Sequence, residues 1–270
     1  MHTTPSEAPV TLSRLEQMKR AGEKIAALTA YDASFARVLD GAGVDLVLVG
    51  DSLGNVIQGH ASTLPVSMDD MVYHCRAVAR GVRRAFLMAD MPFASYPDAG
   101  TAFRNAARLM GEGGAAMVKL EGAGPVLDPI RYLSARDMPV CAHLGLTPQS
   151  VHALGGYKVQ GKGTDGAERI RRSASEVVEA GARLLVLECV PAGLAEELTR
   201  TLSIPVIGIG AGVRCDGQVL VSYDMLGITP GKRPKFSQDF LAGRGSVHEA
   251  VAAYVDQVRR GEFPTAAHAY

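Results

Sequence analysis

The segment LLVLE (residues 184–188) is almost wholly apolar, ends on a carboxylate and is soon followed by the turn-former Pro191. Three other segments share this design: LVLVGD (46–51), FLMAD (86–90) and MVKLE (117–121). Continuous apolar runs of this length are typical of parallel strands that helices cover. Because an unpaired charge near a core is costly, we expect the four terminal carboxylates to belong to a built site.

Short β-rich runs recur along the chain, with amphipathic helical segments between them. The predicted strands are 25–29, 44–50, 85–90, 115–121, 139–143, 183–188, 205–210 and 219–226. This alternation favours a closed (β/α)8 TIM barrel of the α/β class, with a doubly wound open sheet as the alternative. The 270 residues suit a single barrel domain, since such barrels commonly reach about 250 residues. Within 1–270 we expect a short N-terminal extension (about 1–10) and a C-terminal helix (about 246–261).

Three helix starts can be predicted from local signals. Ser67 is a plausible N-cap with Asp70 three residues on, which predicts a capping box. Ser246 and Glu249 repeat the pattern and predict a second box at the start of the C-terminal helix. Pro191 falls where a first helical turn accepts proline.

Composition excludes several classes of protein. Hydrophobic residues make up 47% and charged residues 21%, which argues against a disordered or fibrous chain. Lys plus Arg equals Asp plus Glu at 28 each, so the basic excess of a nucleic-acid binder is missing. The four cysteines form no CxxC pair and are expected to be buried thiols. Since we find no signal peptide or membrane span, we expect a soluble cytoplasmic protein.

The predicted strand ends carry a set of residues suited to chemistry. In a parallel barrel the active site lies at the C-terminal ends of the strands. The residues at those ends are Asp51, Asp90, Glu121, His143 and Glu188. A lone acid there could equally be a helix cap or an ion-pair partner, but five such residues together indicate a site. Oxygen ligands without clustered His or Cys favour Mg²⁺, whose open positions suit a bidentate ligand such as a 2-oxo acid.

Three of the side chains invite individual roles. Lys119 lies two residues before Glu121 and so shares its face of the strand; its anionic partner could be a substrate oxygen or simply the acids. Glu188 ends the most apolar run and is our candidate general base, with a plain ion-pair acid as the alternative. His143 could be a substrate contact or a hydrogen-bonded core residue, and both interpretations stay open.

Two long segments and one glycine-rich segment could complete the site. Residues 52–66 and 145–164 are too long for ordinary loops and are candidate lids over the catalytic face. The segment GIGAG (208–212) could bind phosphate through backbone N–H groups. Its small residues could equally serve close packing or admit a flat ligand ring.

A set of longer motifs gives the chain a family resemblance. The motifs are AYD (30–32), VGDSLG (49–54), QGH (58–60), STLPV (62–66), ADMPF (89–93), VKLEG (118–122), HLGLTPQS (143–150), GGYKVQG (155–161) and LECVP (187–191). In this order they resemble the ketopantoate hydroxymethyltransferase family, from about Leu12 to nearly the C-terminus. So many motifs in the right order make the resemblance highly specific.

The resemblance implies a fold, a reaction and an assembly. The fold would be a (β/α)8 barrel of the phosphoenolpyruvate/pyruvate type, forming a homodecamer in many relatives. The reaction would transfer a hydroxymethyl group from 5,10-methylenetetrahydrofolate to 3-methyl-2-oxobutanoate, giving 2-dehydropantoate for pantothenate biosynthesis. The expected route passes through a Mg²⁺-stabilised enolate. Two alternatives are a Mg²⁺-dependent 2-oxo-acid lyase of the same barrel type and a non-catalytic oxo-acid-binding barrel.

The resemblance also implies roles for individual residues. The implied ligands of one Mg²⁺ per subunit are Asp51, Asp90 and Glu121. The implied oxo-acid contacts are Ser52 and Lys119 together with the metal-site residues Asp51 and Asp90, and His143 is a further candidate. Glu188 would be the proton acceptor. The partners expected are small-molecule substrates, and neither nucleic acid nor membrane is expected.

Overall fold

The centre of the molecule is a closed barrel of parallel strands in the order β1 to β8, with β8 pairing back to β1. The computed structural model describes residues 8–229, 231 and 233–270, so most of the predicted N-terminal extension lies outside the described residues. The strands are β1 Ile25–Thr29, β2 Leu46–Val49, β3 Phe86–Asp90, β4 Met117–Glu121, β5 Val140–Gly145, β6 Leu184–Glu188, β7 Val206–Ile209 and β8 Gly217–Leu220. The closed order confirms the predicted barrel and excludes the open sheet.

Helices follow the strands and cover the barrel. They are α1 Leu12–Ala21, α2 Ala33–Gly41, α3 Leu53–Val56, α4 Met68–Ala79, α5 Ala99–Gly111, α6 Leu127–Ser134, α7 Val151–Leu154, α8 Gly163–Glu179, α9 Ala192–Thr201, α10 Ser222–Met225 and α11 Val247–Arg260. The strands are buried almost throughout because helices pack outside them and side chains fill the interior. In the described part of the chain, no helix is long and apolar enough to cross a membrane.

Of the three predicted helix starts, one is confirmed in full and two differ in detail. The capping box at α4 is present: Asp70 N–H donates to Ser67 Oγ (3.1 Å), and Ser67 N–H donates to Asp70 Oδ2 (2.9 Å). The second box is wrong, because Glu249 Oε2 accepts from the N–H of Gly245 at 3.0 Å rather than from that of Ser246. Pro191 is the N-cap of α9, one residue before the predicted first turn.

The eighth strand differs most from its prediction. We expected 219–226, but the strand is Gly217–Leu220 and is followed by the short helix α10. Short apolar runs fit a strand and a buried helix equally well, so the pattern could not separate them. Ser222 N–H donates to Thr29 Oγ1 at 2.9 Å, and this bond to the end of β1 fixes the start of the helix. The shift carries Asp224 onto the wall of the central cavity.

Helix α11 joins the first and last strands. The buried Tyr254 hydroxyl donates to Ala27 O (3.0 Å) on β1 and Gln218 O (2.9 Å) on β8. The rings of Phe240 and Phe263 pack edge-on against Tyr254, with centroids 5.4 Å and 5.8 Å away. Helix α11 thereby supports the junction at which the barrel closes. All four cysteines are buried free thiols, as expected.

Candidate active site

A cavity of about 790 Å³ opens at the C-terminal ends of the strands. The predicted site residues that line it are Asp51, Ser52, Asp90, Lys119, Glu121, His143 and Glu188. Residues from five different strands or strand ends therefore share one chamber. The barrel brings them together because parallel strands all deliver their carboxyl ends to the same rim.

Asp51 and Asp90 form one side of the chamber. The Asp51 N–H donates to Asp90 Oδ2 at 3.0 Å, so the backbone after β2 is tied to the end of β3. Burial raises the pKa of Asp51 well above its ordinary range, and the charges of Asp90 and Glu121 raise it further. Negative charge is therefore concentrated here, and a cation bound nearby would relieve the repulsion.

Lys119 supplies a positive charge beside these acids. Its Nζ lies 2.7 Å from Asp90 Oδ1 and 3.9 Å from Glu121 Oε1, and the side chain is only 5% exposed. Burial alone would lower the pKa of Lys119, but Asp90, Glu121 and Asp51 together raise it above its usual value. The ammonium group therefore stays charged at the inner end of the cavity.

His143 lies between two carboxylates. Nδ1 is 3.2 Å from Glu121 Oε1, and Nε2 is 3.3 Å from Glu188 Oε2. Burial and Lys119 would lower the pKa of His143, but the hydrogen bond to Glu121 and the close approach of Glu188 raise it to about 9. In the charged form Nδ1–H donates to Glu121, so Lys119 Nζ, 3.2 Å from the same nitrogen, cannot donate to it. The imidazole thus connects the acidic side of the cavity to Glu188.

Gln149 and Tyr96 were missed in the sequence. Gln149 Nε2 donates to Asp51 Oδ2 at 2.8 Å, and its backbone N–H donates to Glu121 Oε2 at 3.0 Å. The Tyr96 hydroxyl donates to Gln149 Oε1 and accepts from the Glu121 N–H at 3.3 Å. Gln149 lies inside the HLGLTPQS motif, which was the one available signal for it. Together the two residues hold the carboxylates of β2 and β4 in place.

Ser52 lies next to Asp51 at the cavity wall. Its Oγ is 2.9 Å from the Tyr31 hydroxyl, which comes from the loop after β1. A Cβ built on Gly50 would come within 2.7 Å of Ser52 Oγ, so a side chain at Gly50 would displace the serine. The VGDSLG motif therefore has a packing reason for its first glycine.

The donor set fits a hard cation. Asp51, Asp90 and Glu121 are buried carboxylates with one ammonium among them, and Asp90 Oδ1 makes no hydrogen bond of suitable geometry. In the described ranges, no three His, Cys, Asp or Glu side chains are grouped as a ready metal site. Mg²⁺ usually takes only one or two protein carboxylates and fills its octahedron with water and substrate. Asp51 and Asp90 suit that pattern, whereas both oxygens of Glu121 are engaged by His143 and Gln149.

The glycine-rich segment packs closely against its neighbours. A Cβ on Gly208 would lie 2.8 Å from Cys215 Sγ, and one on Gly212 would lie 2.7 Å from Ala192 Cβ. These contacts favour the packing interpretation of GIGAG at both positions. Of the two lid candidates, 52–66 contains α3 and 145–164 contains α7. Their closure over the cavity stays a prediction.

The opposite wall of the cavity was not predicted. It includes Asp224 from α10, Lys235 and Phe236 from the segment before α11, and Tyr270. In the barrel order β8 lies four strands from β4, so Asp224 faces the wall that carries Lys119 and Glu121. The cavity thus has an ionic wall and a second wall with one carboxylate, one lysine and two aromatic rings.

A parallel (β/α)8 barrel with a buried lysine and carboxylates at its strand ends defines a TIM-barrel enzyme. Among solved structures, the fold resembles phosphonopyruvate hydrolase in complex with oxalate and Mg²⁺, with a TM-score of 0.63 at 15% identity over 92% of this chain and 96% of that one. It also resembles phosphoenolpyruvate phosphomutase from Streptomyces platensis subsp. rosaceus, with a TM-score of 0.61 at 15% identity over 80% of this chain and 82% of that one. These matches concern the fold alone, and they agree with the predicted (β/α)8 barrel.

The chain belongs to the ketopantoate hydroxymethyltransferase family, whose model matches residues 9–266. It is 59% identical over 255 residues to the 3-methyl-2-oxobutanoate hydroxymethyltransferase of Nitrosococcus oceani, covering 94% of this chain and 97% of the relative. It is 60% identical over 263 residues to the enzyme of that name from Thiobacillus denitrificans, covering 97% of this chain and 100% of the relative. The family resemblance seen in the sequence is therefore confirmed.

Proposed function

We infer that this chain is a 3-methyl-2-oxobutanoate hydroxymethyltransferase that works in pantothenate biosynthesis. It would transfer a hydroxymethyl group from 5,10-methylenetetrahydrofolate to the oxo acid and give 2-dehydropantoate. The carrying observation is that Asp51, Asp90, Lys119 and Glu188 share one cavity. Relatives of that name match almost the whole chain at 59% and 60% identity, which supports the same assignment.

We propose that Asp51 and Asp90 hold one Mg²⁺, with Glu121 completing the site. A bound Mg²⁺ would act as a Lewis acid toward the ketone and carboxylate oxygens of the oxo acid, and would favour its enolate. Gln149 fixes the orientation of Asp51 through its 2.8 Å hydrogen bond. Such second-layer contacts tune metal ligands, so Gln149 is a positioning residue in this scheme.

Lys119 and Ser52 would bind the oxo acid. The Lys119 ammonium is buried, charged and only 2.7 Å from Asp90, the proposed metal ligand. It would therefore lie beside the substrate and compensate the negative charge of the oxo acid. Its attraction for a carboxylate is strong in this low-dielectric interior. Ser52 Oγ is tied to Tyr31 and can still offer a lone pair or its proton.

Glu188 would remove the proton from carbon 3 of the oxo acid. Its side chain is 13% exposed, so the carboxylate is partly desolvated yet reachable from the cavity. His143 Nε2, 3.3 Å from Glu188 Oε2, would hold the carboxylate in position during the transfer. The resulting carbon nucleophile would attack the one-carbon unit of the folate. His143 is then a positioning residue, whereas the sequence left a substrate contact and a hydrogen-bonded core residue both open.

Two experiments test the proposal. Conversion of 3-methyl-2-oxobutanoate should require both the folate and Mg²⁺, and undiminished turnover after thorough chelation would contradict the metal assignment. Folate-independent cleavage of a carbon–carbon bond would instead favour the lyase alternative. Calorimetric binding of the oxo acid without any turnover would favour the non-catalytic barrel.

The assembly and location proposed for the enzyme follow from family resemblance. We propose a homodecamer that works in the cytoplasm on small molecules. Light scattering coupled to size-exclusion chromatography measures the assembly, and a dimeric mass would contradict it.

A further inference from the structure

The wall of the cavity opposite the metal residues contains a carboxylate that the proposed reaction does not use. Asp224 is 7% exposed and lines the cavity, and its Oδ1 accepts a hydrogen bond from Thr229 Oγ1 at 2.6 Å. Within the described ranges, its Oδ2 makes no hydrogen bond and the side chain has no ion pair within 4.0 Å. Arg233 acts on this carboxylate from beyond 4.0 Å, so one carboxylate oxygen is left without a direct partner among the described residues, and a ligand in the cavity can supply its donors.

Two aromatic side chains share the cavity with this carboxylate. Phe236 and Tyr270 both line it, and Lys235 Nζ lies 4.6 Å from the centroid of the Tyr270 ring. A Cβ on Gly210 would come within 3.2 Å of Phe236 and 3.1 Å of Tyr270, so a side chain at this position would crowd both rings. Here the GIGAG segment serves to bring flat apolar faces to the cavity, where a planar ligand ring can pack against them.

The size of the cavity also calls for a second ligand. Sites of about 300–1,000 Å³ enclose drug-sized molecules, and the 790 Å³ here far exceeds the need of a five-carbon oxo acid. The acids at the carboxyl ends of β2 to β4 and Glu188 at the end of β6 account for the oxo acid. The wall from β7 to β1 is left for the co-substrate.

We propose that Asp224 binds the 2-amino-4-oxopyrimidine edge of the folate pterin, with Phe236 and Tyr270 packing against the ring. This inference rests on the proposed function. The pterin edge presents two adjacent N–H donors, at N3 and at the 2-amino group, which match the two acceptor oxygens of one carboxylate. Binding in this way places the pterin on the side of the barrel facing Lys119 and directs the one-carbon unit toward the oxo acid between the two walls.

The test compares the variant Asp224→Asn with the control Asp239→Asn. An asparagine at 224 can still accept from Thr229 but offers an N–H₂ group where the pterin needs an acceptor. Asp239 caps a neighbouring turn by accepting from Leu241 N–H and Ala242 N–H at 3.0 Å, and it does not line the cavity. We expect Asp224→Asn to raise KM for 5,10-methylenetetrahydrofolate about 10- to 100-fold, since hydrogen bonds to a charged group are lost. The KM of Asp239→Asn for 5,10-methylenetetrahydrofolate should stay within about twofold of the wild-type value, because substitutions away from a binding site usually have small effects.

A ligand change gives the second arm. A tetrahydrofolate analogue with methyl in place of the 2-amino group should bind wild type more weakly than tetrahydrofolate, and Asp224→Asn should discriminate little between the two. Exchange of the carbon 3 proton of the oxo acid into deuterated water, with Mg²⁺ and no folate, tests the oxo-acid side of the cavity independently of the folate. If Asp224→Asn lost this exchange, or kept the wild-type KM for the folate, the pterin assignment would be wrong. Wild-type protein without folate-dependent turnover would overturn the proposed function and the pterin site together.

Discussion

At the scale of single residues, the site is organised around buried charges of opposite sign that compensate one another in part. Asp51 and Asp90 share a backbone-to-carboxylate hydrogen bond of 3.0 Å, and Lys119 compensates Asp90 directly. Glu121 is compensated by His143 instead. Burial alone would raise the pKa of Glu121, but the hydrogen bond and charge of His143 and the charge of Lys119 lower it below its ordinary range. Asp51 keeps the least neutralised charge and is the best candidate for direct contact with a metal.

The substitution Glu188→Gln should abolish proton removal while leaving the rest of the cavity in place. A glutamine keeps the size of the side chain near His143 but cannot accept the carbon 3 proton. General base catalysis typically contributes about 10²- to 10⁴-fold, so we expect exchange into deuterated water to slow by that factor. The control is Glu196→Gln on the exposed face of α9, which should exchange at the wild-type rate. Wild-type exchange in Glu188→Gln would remove Glu188 as the base.

The substitution His143→Asn tests the link between Glu121 and Glu188. Asparagine can contact one carboxylate but cannot bridge two that lie on opposite sides of an imidazole. We expect kcat to fall about tenfold or more with a smaller change in the KM for the oxo acid, because a small displacement of a catalytic group strongly lowers the rate of the chemical step. A rise in that KM alone, with kcat unchanged, would instead make His143 a substrate contact.

At the scale of secondary-structure elements, the capping box at α4 is the clearest local device. Ser67→Ala removes the acceptor of the Asp70 N–H bond, and such losses cost about 1 kcal/mol. Hydrogen bonds from the Ser67 side chain and backbone lower the pKa of Asp70, so the ionised carboxylate stabilises the fold above its ordinary pKa of 3.8. That stability is lost as pH falls through the lowered pKa. Urea unfolding of Ser67→Ala at pH 7 should therefore show a lower midpoint, and Ser67→Asp should restore it.

Helix α10 carries a charge that works against folding. Burial raises the pKa of Asp224 above its ordinary value of 3.8, so the neutral form favours the fold and stability is lost as pH rises through the raised pKa. Asp224→Asn keeps the acceptor for Thr229 and removes this cost. We expect its thermal midpoint to exceed that of wild type at pH 7 and the difference to vanish as pH falls below 3.8. A lower midpoint at pH 7 would show that the attraction of Arg233, which lowers this pKa, outweighs the cost of burial.

The elements that could be predicted from the sequence are those whose pattern is local. The strands ending at Asp90, Glu121 and Glu188 were placed correctly at their C-terminal ends, because each apolar run stops at its acid. The run 219–226 was misplaced because strand and helix share its apolar positions, and the bond from Ser222 to Thr29 is a tertiary contact that the pattern does not contain. Gln149 and Tyr96 were missed because their roles depend on the path by which their loops return to the site. The spacing of residues within a loop does not predict that path.

At the scale of the whole molecule, the barrel turns eight separate strand ends into one chamber with two unlike walls. The closed order places β4 opposite β8, so the ionic residues and Asp224 face each other although each wall is assembled from distant parts of the sequence. The ionic wall was predictable because every member lies within two residues of the carboxyl end of a strand. The second wall was not, since Phe236 and Tyr270 reach it through the path of the chain after β8 rather than through any strand pattern.

Metal binding should couple to the stability of the entire barrel. Mg²⁺ that binds the folded chain and not the unfolded one stabilises it by about 2.7 kcal/mol at a hundredfold excess over Kd. Wild-type protein should therefore melt at a higher temperature in Mg²⁺ than in a chelator. In the chelator, Asp51→Asn should melt at a higher temperature than wild type, because the substitution removes the charge that Asp90 and Glu121 repel. It should gain little from Mg²⁺, since a ligand is lost. If Asp51→Asn kept the full rise in melting temperature with Mg²⁺, the ion would bind elsewhere in the protein. If the variant lost both this rise and the exchange of the carbon 3 proton, the ion would bind beside the oxo acid.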